Sequence, residues 1–201
     1  MVRLLGTFGF LVVILRAAIL CFQSLGVGGV LFLLVVARKP EQRREELLRP
    51  AWKLIRASAL AVAVAQLFFI VTNSLVLSYS ADIPMREVLG ANFVSAGAMA
   101  ILGGLAIAFW PEGLRRSVNP IVLLPAAMML AATVVTSHSA SRMEARGWLV
   151  ASTIVHYLAT ASWIGGLPYL LIAMKRVKDA DLKTRLSQNF SRLAMSSVIL
   201  L

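Results

Sequence analysis

The chain has 201 residues, of which 59% are hydrophobic and 14% charged, with a mean hydropathy of +0.83 and a formal net charge of +11. Soluble chains carry roughly 45–50% apolar and about 25% charged residues, so this balance excludes an ordinary water-soluble domain. The single cysteine, Cys21, excludes a disulfide scaffold. The excess apolar residues are gathered into long runs, which is the pattern of an all-α polytopic transmembrane helix bundle.

A helix rises about 1.5 Å per residue, so about 20 apolar residues cross the hydrocarbon core. The first run covers residues 4–37 and is broken by Arg16. Its crossing is expected at 17–37, with 4–15 a tilted extension or an interfacial turn and Arg16 at headgroup level. Arg3 before an apolar stretch resembles the start of a signal peptide. The run, however, continues past any cleavage point, and Leu20 is too large to precede a lipoprotein cleavage at Cys21. Further spans are expected at 57–79, 88–110, 119–137 and 148–174. The fourth begins at Pro120, with a bend expected near Pro125. A last run, 190–201, is too short to span. The expectation is one transmembrane domain of five full spans plus the start of a sixth, the N-terminal part of a longer chain. A short interfacial helix at 190–201 is the alternative. Small residues recur at spacing four in the third run (Asn92, Ala96, Ala100, Gly104, Ala108) and the second (Ala57, Ala61, Ala65). With Gly26, Gly28 and Gly29 in the first, they read as close helix–helix packing.

The charge is sorted by side. Basic residues gather between runs one and two, between three and four, and after run five, leaving Arg3, Arg86, Arg142 and Arg146 on the other side. The positive-inside rule puts the rich side in the cytoplasm and the N-terminus outward, with anionic lipids as partners of the basic loops. Nucleic acid is not an expected partner, because Trp52 is the lone stacking aromatic in those loops.

All nine acids fall in loops, so a carboxylate relay through the membrane has no candidate here. Phosphate loops, paired-cysteine metal motifs and nucleophile–base pairs are missing too, so no enzyme activity is expected. Two histidines remain. His138 closes run four, and His156 lies eight residues into run five. Runs four and five are antiparallel neighbours, so the two imidazoles can face each other. Neutral imidazole suits copper, zinc and iron. Met143 is a weaker soft ligand in the intervening loop, while Met99, Met128 and Met129 read as core filler. For His156 the competing reading is a structural histidine bonded to Ser or Thr. Asn73, Thr133, Thr136, Ser152, Thr153 and Thr160 collect in the same half, as supporting groups or as helix–helix hydrogen bonds. Ala159, Thr160 and Trp163 follow His156 at i+3, i+4 and i+7, on one stripe, so Trp163 can wall a cation site.

The segments TSHSA and HYLATASWIGGLPYLL, with NFSRLAMSSVILL after them, resemble the CopD/PcoD copper-resistance family of inner-membrane proteins. The matching pattern is Ser-His-small, then His, six residues, and Trp-x-Gly-Gly-Leu. The resemblance is loose over most of the chain and good over 136–201. It implies an eight-helix bundle that moves copper ions across the bacterial inner membrane with a periplasmic copper-binding partner. It also implies that His138 and His156 match candidate copper ligands, with Trp163, Gly165 and Gly166 as the attached helix motif. No fused periplasmic copper domain is present, so the donor is expected to be a separate protein. The expected function is copper binding and transport, with capture at His138, transfer to His156, and uptake falling below about pH 6 because imidazole must be neutral to bind. The alternatives are a bis-histidine haem electron carrier and an assembly or scaffold subunit for a copper enzyme.

Overall fold

The computed structural model describes residues 2–39, 45–137 and 146–200, without the side chains of 2–8 and 115–117. Helix α1 (Val2–Leu31) runs into a π-turn at Phe32–Val36. It is followed by α2 (Glu45–Ser80), α3 (Met85–Leu89), α4 (Asn92–Ala108) and α5 (Glu112–Ser117). A 3-10 turn (Pro120–Val122) leads into α6 (Leu123–Val135). Then come α7 (Arg146–Thr160), a second π-turn (Ala161–Gly165), α8 (Leu167–Arg176) and α9 (Ala180–Leu200). No strand occurs among the described residues, which agrees with the all-α expectation.

Three helical stretches are long and apolar enough to cross a membrane: Gly9–Val36, Glu45–Ser80 and Arg146–Arg176. The protein is therefore a membrane protein, but the expectation of five full spans is corrected. The third run is divided, because the chain turns at Gly90 between α3 and α4. Asn92–Ala108 then has 17 residues, about 25 Å of helix against a core of about 30 Å. The fourth, Pro120–Val135, is likewise a shorter apolar helix. Pro125 stands in the first α-turn after a 3-10 turn, so the break expected there is taken up by a change of helix type at the start. Residues 4–15 continue α1 without an interfacial turn.

The helix starts and stops have local causes. The Asn119 side chain accepts from the Ile121 amide at 3.0 Å, and Pro120 follows at the first helical position. The last helix begins at Ala180, ten residues before the apolar run at 190. Its start is fixed by Asp179, whose carboxylate accepts from the Leu182 amide at 3.1 Å. Lys175 and Arg176 close α8, where positive charge suits the helix C-terminus.

The helices stack in a fixed order. α1 packs on α2, α2 on α4 and α4 on α6, while the other side of α1 receives the second π-turn. The main core lies at the basic end. Phe32, Leu33, Leu47, Ile55, Ile107, Tyr169 and Leu186 are fully buried there. The Phe32 ring lies 6.1 Å from both Tyr169 and Phe190. At the opposite end packing thins, and α7 buries Ala159 alone among its residues.

Small residues account for the tight crossings, partly as expected. Ala96, Ala100, Gly104 and Ala108 are buried, while Asn92 is exposed. A methyl group on Gly104 would come within 2.7 Å of the Ala59 carbonyl, and one on Gly103 within 2.6 Å of the Pro125 carbonyl. In α2 the packed alanines are Ala59, Ala63 and Ala65, whereas Ala57 is exposed. Of the spacing-four set expected in the second run, Ala65 is buried, Ala61 half-buried and Ala57 exposed.

Candidate functional site

His156 stands on α7 with its side chain exposed. It has no hydrogen-bond or ion-pair partner among the described residues, and Tyr157 is its ring neighbour at 6.1 Å. Trp163 is 37% exposed. The expected single stripe does not carry through. Ala159 is buried and His156 is exposed, and the π-turn beginning at Ala161 widens the helix and offsets Trp163 from the α-helical register. His138 and Met143 lie outside the described residues. The helices on either side of their loop, α6 and α7, do pack against each other. Among the described residues no group of three His, Cys, Asp or Glu side chains could hold a metal ion. A site at His156 therefore requires donors from outside that set.

Gly165 and Gly166 have a packing role that can be read directly. A methyl group on Gly165 would overlap the Ser24 carbonyl, and one on Gly28 would overlap the Ala161 carbonyl and the Gly165 backbone. A methyl group on Gly166 would overlap the Ser162 carbonyl and approach the Phe190 ring. Gly165 thus seats the π-turn on α1, and Gly166 lets the chain close against Phe190 on α9.

The polar residues expected to gather around the histidines mostly bond to their own helices. Asn73 donates to the Phe69 carbonyl at 2.8 Å, Thr136 to Ala132 at 3.0 Å, Ser137 to Val134 at 2.6 Å and Thr153 to Leu149 at 2.8 Å. These are back-bonds that hydroxyl and amide side chains make within an apolar helix. Thr133 is different, because its hydroxyl donates to Gln23 Oε1 on α1 at 2.7 Å.

Gln23 and Gln66 are buried amides within the apolar runs that the sequence reading passed over. They are 3% and 8% exposed. Gln66 lines a hollow of about 30 Å³ with Arg16, Thr133 and Thr136, enough for a single water. At the mouth of this track Arg16 Nη2 donates to the Thr136 carbonyl at 2.8 Å. Arg16 therefore ties α1 to the end of α6, two residues before His138. The signal that could have found the amides was their isolation in otherwise apolar sequence, since a lone amide in hydrocarbon requires a partner. Breaking the Gln23–Thr133 bond is expected to cost about 1 kcal/mol. A double-mutant cycle of Gln23→Leu and Thr133→Val, read by unfolding in detergent, checks this. Strict additivity of the two changes would show that the bond carries no coupling.

Comparison with protein families, with characterised proteins and with solved structures finds no match.

Proposed function

We propose that this membrane protein binds copper ions and carries them across the bacterial inner membrane, with capture at an outward-facing histidine site. The observation that carries the reading is the motif Ser137-His138-Ser139 followed by His156, six residues, and Trp163-Ile164-Gly165-Gly166-Leu167. The imidazole of His156 is exposed, with no hydrogen-bond partner among the described residues, which leaves it available as a ligand. His138 and His156 are the proposed ligands, Met143 a supplementary thioether, and a separate periplasmic copper-binding protein the donor. The excess of basic residues at the other end orients the chain with that end in the cytoplasm.

The test is metal analysis of purified protein, wild type against the His138→Ala/His156→Ala variant. Bound copper is expected to fall roughly tenfold or more, since even loss of a group behind a metal ligand costs 10–100-fold. Equal copper content in the two proteins overturns the assignment. A Soret band in the purified wild type replaces it with the haem reading.

A further inference from the structure

The basic end holds a groove whose chemistry is unrelated to the histidines. Arg49, Lys53 and Arg56 lie on α2 at i, i+4 and i+7, on one stripe of the helix. They line a cavity of about 650 Å³ together with Leu60, Phe109 and Glu112. A second cavity of about 510 Å³ shares Arg49 and Lys53 and adds Glu46, Arg176 and Lys178. Counting Glu45, which lines both, five cations face three carboxylates. Arg49 is paired with Glu45 at 3.1 Å. Lys53, Arg176 and Lys178 have no ion-pair partner among the described residues. The Arg56 Nε donates to the Ala108 carbonyl at 2.5 Å, so the guanidinium is held at the C-terminal end of α4, where positive charge is favoured.

The same stripe of α2 continues as exposed aliphatic surface. Leu60, Val64, Leu67 and Val71 follow at helical spacing and are 44%, 47%, 54% and 47% exposed. From Leu60 to Val71 the stripe runs about 16 Å along the axis, and the three cations occupy about 10 Å before it. A compact cationic head leading into an aliphatic track is the outline of one phospholipid.

The geometry points to a binding site for a single anionic phospholipid. Its phosphate sits among Lys53, Arg56 and Arg49, and one acyl chain lies along Leu60, Val64, Leu67 and Val71. This is narrower than diffuse attraction of basic loops to a charged leaflet, because it assigns one lipid to one stripe. The excess of cations over carboxylates in the lining selects for negative charge in the headgroup, and the aliphatic track excludes a free phosphate as an equal ligand.

Native mass spectrometry of the full chain in detergent tests the site with three probes: dioleoylphosphatidylglycerol, dioleoylphosphatidylcholine and inorganic phosphate. Retention of one phosphatidylglycerol is expected, at least tenfold more tightly than phosphatidylcholine, with no comparable retention of phosphate. Each cation contributes about fivefold near a charged surface. Lys53→Gln should therefore weaken phosphatidylglycerol about fivefold and Lys53→Gln/Arg56→Gln about thirtyfold. Lys53 is exposed and has no ion-pair partner among the described residues, so the single variant decides the matter if the double variant does not fold. Equal binding of the two lipids, phosphate binding as tightly as phosphatidylglycerol, or unchanged affinity in Lys53→Gln would each overturn the proposal.

Discussion

Gly165→Ala and Gly28→Val are each expected to destabilise the protein by about 3 kcal/mol, the upper range for overpacking a tight contact. The reason lies in what the new atoms would meet. A β-carbon on Gly165 overlaps the Ser24 carbonyl, and one on Gly28 overlaps the Ala161 carbonyl and the Gly165 backbone. Backbone atoms inside two helices cannot rotate aside as a side chain can, so the helices must separate. The contact between α1 and the π-turn at Ala161–Gly165 is the main seam joining the helix that carries His156 to the rest of the bundle. Gly147→Ala and Gly113→Ala serve as controls, because a β-carbon there meets nothing within 4 Å. Those exchanges should be neutral or mildly stabilising, as alanine favours helix over glycine by up to about 1 kcal/mol. Thermal unfolding in detergent micelles separates the two groups. A Gly165→Ala protein as stable as Gly147→Ala would mean that the seam is looser than described.

The apolar runs announced a helical membrane bundle because hydrocarbon permits a chain to satisfy its backbone only within helices or closed barrels. Hydropathy alone marks helix ends poorly. The last helix was legible from residue 190 but begins at Ala180, since its first turns are polar and its start is set by the Asp179 carboxylate. The third run was read as continuous because Val88 and Leu89 are apolar, yet they belong to α3, and the turn at Gly90 leaves α4 short. Both π-turns were invisible, because the extra residue in a turn depends on what packs against it and not on residue type. The glycines signalled close approach, but not which helix approaches. Gly28 meets the π-turn and Gly29 the Tyr169 ring, contacts that span more than a hundred residues of chain. Of the candidate site, the motif was legible and the geometry was not. The exposed position of His156 follows from thin packing around α7, and Gln23 and Gln66 were hidden by apolar neighbours that dominate any averaged scale.

Tyr169→Ala is expected to cost about 4 kcal/mol, in the range found when a large buried aromatic is truncated. Tyr169 is fully buried. Its ring fills a slot against Gly29, Ile55 and Phe32, and its hydroxyl donates to the Leu25 carbonyl at 2.9 Å. Tyr169→Phe keeps the ring and loses the bond, so its cost should be only about 1 kcal/mol. A ratio near four between the two variants, measured by unfolding in the same detergent, attributes the stabilisation to shape filling over the hydrogen bond. Gly29 supplies an internal check. A β-carbon there would overlap the Tyr169 ring, with Ile55 Cγ1 also close at 2.5 Å, so Gly29→Ala alone should be costly. In the Tyr169→Ala background the ring is gone and part of that penalty disappears. The double-mutant cycle should return a favourable coupling of about 1–2 kcal/mol. Coupling near zero would place the obstruction on Ile55 alone and remove the ring-on-glycine contact as a determinant of how α8 sits on α1.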